Sequence, residues 1–394
     1  MRVLTFLHSF DPGGVERVAL RLNREWAACG HDVTVVMGRA DGVLRAEAGT
    51  LAYRTLAPNW LATARWETLW MIVTLPRIVR RLRPDVIFCA GNTYTVVAVA
   101  LKLILGRACP PIAAKVSNDF DRTDFGRVTR WFYRRWLRVQ APYIDRFVGI
   151  AEPMRAQIER LTGVTKSAVA IVNDPAVEVA ALAAFDRGRP STRSGRRFLA
   201  IGRLSPQKNF ALALTAFARF ATVDDRLTIL GEGPERPRLE ALARELGIVG
   251  QIALPGFDRD VAARLAEHDV FVLSSDYEGV PAVIVDALVA GIAIVATDCS
   301  VSMSDLLGEG QFGTLVRVGD AVVLADAMVA AATSRPDRAA MRSRAMHFTV
   351  EAAAPRWWRV FEALVGSRAA STPASFAGSQ TGARQAASVT SAEQ

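Results

Sequence analysis

Short apolar runs bounded by Gly, Pro or Asp alternate with longer helical segments along most of this chain, and the alternation breaks once. The runs "RVLTFLHSF" (2–10), "HDVTVVMG" (31–38), "PDVIFCA" (84–90), "PPIAAKVSN" (110–118), "DRFVGI" (145–150) and "AVAIVN" (168–173) each hold four to eight apolar residues, the pattern of a buried strand. Between the first two, Val15, Val18, Ala19, Leu22 and Trp26 recur at the i, i+3, i+4 spacing of an amphipathic helix. Strand–helix–strand alternation requires right-handed crossovers and a parallel sheet. Residues 174–195 contain no clear strand and end in Arg, Ser, Gly and Pro. A second series then begins with 196–204 and continues through 226–233, 252–257, 269–275 and 293–299. The chain is therefore expected to be an α/β protein with two doubly wound, Rossmann-like parallel-sheet domains. We divide it into a first domain (1–174), a linker (175–195), a second domain (196–350), a terminal helix (351–366) and a disordered tail (367–394). The tail is small and polar and cannot bury enough surface to offset its ordering entropy. In such a molecule a ligand binds where the strand C-termini face the crevice.

Four stretches supply chemistry for that crevice. In "DYEGVPAVIVDALVAG" (276–291) a strand ends, Pro281 suits the first helical position, and Gly291 suits the stop. Glu278 then lies in the loop before the helix, and Asp286 lies within it. Free N–H groups at the helix start suit a phosphate or sugar oxygen, and carboxylates suit adjacent hydroxyls. In "GRLSPQKN" (202–209) Arg203 and Lys208 flank a turn before another helix, an arrangement suited to a diphosphate. "LGEGPERPRL" (230–239) places Gly231 and Gly233 where backbone approaches closely. "DPGGVERV" (11–18) sets Gly13 and Gly14 at the first strand-to-helix turn; neither the dinucleotide fingerprint nor a Walker A loop is present. Taken singly, each stretch also suits a surface loop.

Net charge is +9, so nucleotide phosphates, anionic lipid or nucleic acid are the partners charge allows. The arginines are dispersed and no nucleic-acid motif is present, which disfavours nucleic acid. Lysine occurs only at Lys102, Lys115, Lys166 and Lys208. The four cysteines are far apart and form neither a metal nor a disulfide framework, which fits a reducing cytoplasm. The first residues lack a signal-peptide layout, and no apolar run approaches the ~18–20 residues of a membrane span.

Together these stretches, in this order and with "LPGF" (254–257) between them, resemble glycosyltransferase family 4, retaining enzymes of the two-Rossmann GT-B architecture. The resemblance covers residues 1–366 and implies sugar transfer from a nucleotide-sugar donor, most readily UDP- or GDP-linked, to a saccharide or lipid-linked acceptor in surface glycan assembly. It implies that Arg203 and Lys208 hold the donor diphosphate, and that Glu278 with the N–H groups of Gly279 and Val280 meets the sugar. Asp286 would take the ribose hydroxyls, Gly256 and Phe257 would lie near the base, and Gly14, beside Gly13, would approach from the first domain. Gly231 counts among the donor contacts, no cofactor or metal is expected, and the terminal helix is expected to pack back onto the first domain.

Two departures stand out. The family usually shows glutamate where this chain has Asp286. Many members also carry a histidine where this chain reads "KVSNDFDRTDFG", so Asn118 or Asp119 would contact sugar or acceptor instead. His8 is the other first-domain histidine near the crevice and reads as structural. The basic, aromatic segments 59–84 and 125–142, with a stripe of Val128, Phe132, Trp136 and Val139, suit either a packed helix or an anionic inner-membrane surface. A sugar-nucleotide binder without turnover and a GT-B phosphorylase or synthase remain open readings.

Overall fold

The computed structural model describes residues 1–11, 13–56, 66–122, 125–186 and 194–371. The first domain runs β1 (Arg2–Leu7), α1 (Gly14–Ala28), β2 (Asp32–Met37), β3 (Tyr53–Thr55), α2 (Glu67–Leu82), β4 (Val86–Cys89), α3 (Thr95–Leu105), β5 (Ile112–Val116), α4 (Arg127–Gln140), β6 (Arg146–Gly149), α5 (Met154–Thr162) and β7 (Val169–Ile171). The second runs β8 (Arg197–Ile201), α6 (Phe210–Ala218), β9 (Arg226–Leu230), α7 (Arg236–Glu245), β10 (Ile252–Gly256), α8 (Val261–Ala266), β11 (Val270–Leu273), α9 (Ala282–Ala290), β12 (Ala293–Thr297), α10 (Met303–Leu306), β13 (Thr314–Val316), α11 (Ala321–Ala332) and α12 (Arg338–Ala345). The chain then enters α13 (Val350–Ser371).

Both sheets are parallel, in the orders β3-β2-β1-β4-β5-β6-β7 and β10-β9-β8-β11-β12-β13. The two-Rossmann architecture expected from the alternation is the one present. The central strands are buried on both faces, which is why they read as continuous apolar runs. Thr5 is the buried polar exception in β1, and its hydroxyl donates to Asn23 Oδ1 at 2.8 Å beneath α1. The sequence reading missed β3 and β13. Each has three residues on a sheet edge, too short to carry a pattern.

Right-handed crossovers put α2, α3, α4 and α5 side by side on one face of the first sheet. On the other face α13 packs against α1. Trp26, Phe88, Trp357 and Phe361 form an aromatic cluster there, with ring centroids 4.8–6.1 Å apart between neighbours, and Trp26 Nε1 donates to Ala354 O at 3.0 Å. The terminal helix continues to Ser371, five residues into the segment expected to be a disordered tail, and Ser367 Oγ bonds back to Leu364 O at 2.9 Å. Residues 372–394 of the expected tail lie outside the described residues.

The chain crosses between domains twice, and the crossings lie together. Ala176 N donates to Phe348 O at 2.9 Å, and Val350 N donates to Val177 O at 2.9 Å. Part of the expected linker, 179–185, is a 3-10 turn; residues 187–193 fall outside the described residues. Among the described residues no helix is long and apolar enough to cross a membrane.

Candidate functional site

The C-terminal ends of both sheets face one gap, and the loops there are tied to one another before any ligand is considered. After β8 the chain makes a 3-10 turn at Pro206–Lys208 and reaches Asn209, whose φ of 43° is left-handed. Asparagine tolerates that conformation, and its side chain here accepts from Leu212 N at 3.2 Å to cap α6. Asn209 Nδ2 also donates to Asp276 Oδ1 at 2.7 Å, and Gln207 Nε2 donates to Tyr277 O at 2.9 Å. Ser274 Oγ donates to Lys208 O at 2.9 Å. The loop after β8 is thus zipped to the loop after β11.

That zipper brings Lys208 Nζ to 2.5 Å from Glu278 Oε1, which also accepts from Ser275 Oγ at 2.8 Å. Glu278 is buried, at 9% exposure. A carboxylate so placed is held by charge-assisted hydrogen bonds and in turn fixes where the lysine points. Gly279 and Val280 follow directly, ahead of α9, whose first N–H groups have no partner within the helix. Val280 packs against the cores of both domains. A side chain on Gly279 would place its Cβ 2.1 Å from Ser117 O, so only glycine permits the two domains to meet here.

Around this point lies a cavity of about 420 Å³ lined from both domains. Arg203, Lys208, Glu278, Gly279 and Val280 supply one wall; Gly14, Arg17, Arg21, Lys115 and Asn118 supply the other. Five cations surround it against two carboxylates, Glu278 and Asp174. Lys115 Nζ is 2.5 Å from Asp174 Oδ1, with the lysine side chain 2% exposed. Arg21 lies 3.4 Å from Glu178, and burial lowers its pKa. Such a lining suits a ligand with two or more negative charges and several hydroxyls.

The structure thus brings Arg203, Lys208, Glu278, Gly279, Val280, Gly14 and Asn118 together on one cavity. Gly13 stands just behind, as the residue that opens α1. Asp286 sits one turn deeper along α9, facing Arg21 and Arg17 across the gap. It is partly buried between the domains, and that burial pushes its carboxyl up to about 7 against the pull of the two arginines. Gly231, Gly256 and Phe257 do not line the cavity. Gly231, at φ +138°, has Gly202 O where a Cβ would stand, so its missing side chain serves loop packing. Gly231 N donates to Gly256 O at 2.8 Å, and Phe257 beyond it is exposed. These three continue the row of strand ends from β8 outward to the sheet edge at β10.

Asp119 has a different position from that of a wall residue. Its Oδ2 accepts from Val301 N of the second domain at 3.0 Å, bridging the gap on the far side of the Glu278 loop. Burial, aided by Asp121 and Asp298, pushes its carboxyl up to about 6, although the Val301 hydrogen bond pulls it down. His8 packs its ring 4.7 Å from Tyr94 behind β1, and its Nε2 is buried without a partner. Among the described residues no group of three or more His, Cys, Asp or Glu is arranged to hold a metal ion.

Sequence reasoning overlooked Arg17, Arg21, Lys115 and Asp174. Arg17 and Arg21 stand four apart on what reads as the solvated side of α1. Lys115 carried a usable signal, because a charge inside an apolar strand run must find a partner.

Two family descriptions match the chain: "Glycosyltransferase Family 4" over residues 12–174 and "Glycosyl transferases group 1" over residues 186–348. Among curated proteins, the chain is 38% identical over 120 residues to an N-acetylgalactosamine-N,N'-diacetylbacillosaminyl-diphospho-undecaprenol 4-alpha-N-acetylgalactosaminyltransferase of Campylobacter jejuni, which covers 30% of this chain and 33% of that protein. It is 35% identical over 123 residues to the lipopolysaccharide core biosynthesis glycosyltransferase LpsE of Rhizobium meliloti, covering 31% and 35%. The matched part thus spans about a third of the length of these curated relatives. The crystal structure of HepE from Anabaena in complex with UDP and glucose superposes with a TM-score of 0.73 at 16% identity, covering 92% of this chain and 99% of that one.

Proposed function

This chain belongs to glycosyltransferase family 4, with the GT-B fold, and on that premise we propose that it is a retaining glycosyltransferase of surface glycan biosynthesis. It moves a sugar from a nucleotide-sugar donor to a hydroxyl of a saccharide or lipid-linked acceptor, at the cytoplasmic face of the membrane. The observation that carries this reading is the Lys208–Glu278 pair beside the open N-terminus of α9, on a cavity rich in cations.

Arg203 and Lys208 neutralise the donor diphosphate, and Glu278 and the Gly279–Val280 backbone orient the sugar. Asp286 takes the ribose hydroxyls, with the base extending along the strand ends toward Gly256 and Phe257. UDP is the donor nucleotide this reading favours first, because HepE is described with UDP, and GDP stands second. The names of the Campylobacter and Rhizobium relatives favour a lipid-linked glycan acceptor.

In the reaction the bond between the anomeric carbon and the β-phosphate oxygen breaks. The acceptor oxygen bonds to the same face of that carbon, and its proton passes to the departing phosphate. Negative charge grows on the diphosphate, so cations and N–H groups already aimed at it lower the barrier without reorganising. Fixed side-chain cations in that role leave no task for a metal. Thermal shift against UDP-, GDP- and ADP-sugars, with and without EDTA, tests the reading. A shift by one uridine or guanosine donor, unchanged by EDTA and followed by nucleotide release with acceptor, supports it; no shift by any nucleotide sugar overturns it.

A further inference from the structure

A second cavity, of about 920 Å³, lies at the opposite end of the first sheet from the gap. Pro111 and Arg146, where β5 and β6 begin, line it together with the last turns of α3 and α13. Its frame is tied across distant parts of the chain. Asp145 Oδ2 pairs with Lys102 Nζ at 2.7 Å and accepts from Ile112 N at 2.7 Å. Arg368, on α13, donates to Arg107 O at 2.5 Å and also to Cys109 O.

The charge on the lining decides what fits. Lys102, Arg107, Arg146 and Arg368 line the cavity with one carboxylate, Asp145, an excess of three positive charges. The C-terminal ends of α3 and α13 bring about half a negative charge each, which leaves an excess of about two. The Cys109 thiol adds none, because burial pushes its pKa up to about 11. Arg146 donates to Ser167 O at 2.5 Å, while its Nε is buried without a partner. A buried N–H left in that state is costly, and an anionic oxygen is the acceptor that best relieves the cost. Among the described residues the lining contains no aromatic ring, so it offers no face on which a nucleobase would stack. Its volume is that of a small-molecule site, larger than a bare phosphate fills. A phosphate ester of a sugar meets all three conditions: two negative charges, no base, and a hydroxyl-bearing body.

We propose that this cavity is a second ligand site, which takes a sugar phosphate of two negative charges through Arg107, Arg146 and Lys102. The site is separate from the donor cavity, and no residue lines both. It adds to the transfer chemistry and depends on no part of it.

The test is isothermal titration of the full chain with glucose 6-phosphate, beside glucose and inorganic phosphate, at low and high salt. The expected result is one site for the ester, weakened by salt, with weaker binding of inorganic phosphate and none of glucose. Arg107 is exposed, so Arg107→Glu should melt with wild type and keep the thermal shift given by the nucleotide sugar. It should weaken the ester about 10-fold or more, the loss of one charge-assisted hydrogen bond. Arg146→Gln should weaken it by a similar factor. Arg203→Ala, in the donor cavity, should leave the titration unchanged. No binding, binding no tighter than that of glucose or inorganic phosphate, or a loss in Arg203→Ala but not in Arg107→Glu would each overturn the proposal. An intact titration with no shift by any nucleotide sugar would remove the donor site alone and leave this one standing.

Discussion

Lys208 Nζ stands 2.5 Å from Glu278 Oε1, across two loops that also share Gln207–Tyr277 and Asn209–Asp276 hydrogen bonds. The pair makes Lys208 a structural residue as well as a ligand for phosphate, which separates it from Arg203. Arg203 is exposed and lines the same cavity. Arg203→Ala should lower turnover ~10²–10³-fold with the melting temperature unchanged. Lys208→Ala should lower turnover as much and also cost roughly 1–3 kcal/mol of stability, because it leaves Glu278 buried without its cation. Steady-state kinetics beside thermal melts distinguish the two; near-wild-type turnover in both variants would defeat the diphosphate assignment.

The contact between Gly279 and Ser117 makes a cleaner probe of domain closure. An added methyl would sit 2.1 Å from Ser117 O, while Gly279 has no left-handed φ to forbid alanine locally. Gly279→Ala should therefore leave each domain folded, hold the gap open, and lower turnover by at least 10-fold, a cost typical of misplacing reacting groups by an ångström or so. Small-angle scattering should report a larger radius of gyration. An unchanged radius with full activity would show that the domains work without this approach.

Asp119 links the gap to pH. Its carboxyl is raised from 3.8 to about 6 in the folded protein, chiefly by burial, so folding disfavours its ionised form. The stability it contributes is complete below about pH 4 and is lost as pH rises to about 6, with no further change above. Asp119→Asn keeps an acceptor for Val301 N–H and removes the charge. That variant should be more stable at pH 7.5 by roughly 1–3 kcal/mol, with a flatter melting profile between pH 4 and 6. A steeper profile would mean that the Val301 hydrogen bond outweighs burial.

Asp286 behaves in the same direction over a wider window, because its carboxyl is raised from 3.8 to about 7. Asp286→Asn should raise the melting temperature at pH 8 by a few degrees and remove the loss of stability between about pH 4 and 7. If the carboxylate takes the ribose hydroxyls, the same variant should bind the nucleotide sugar about 10-fold more weakly, a loss on the order of one charged hydrogen bond. Tighter melting with unchanged donor affinity would keep the electrostatics and remove the ribose contact.

Much of this arrangement was legible in the chain. Arg203, Lys208 and Glu278 could be singled out because each stands in a loop with turn signals between a strand and a helix, where a parallel α/β sheet presents ligands. Arg17 and Arg21 could not, since arginines four apart on an amphipathic helix look the same whether they face water or a second domain. Asp119 and Val301 are separated by 182 residues and carry no common local signal. The three-residue strands β3 and β13 were missed because pairing to a neighbour defines them, with too few side chains to form a pattern.

The order of strands and helices, their burial, and the loops that hold the charged residues follow from neighbours along the chain. Hydrophobic periodicity and turn chemistry are local properties, and the sequence states them directly. What the gap contains was decided by the two domains together: Gly279 beneath Ser117, Asp286 opposite Arg21, and Asp119 joined to Val301. Distance between remote segments sets those fields and contacts, and distance of that kind exists only once both sheets are folded and facing each other.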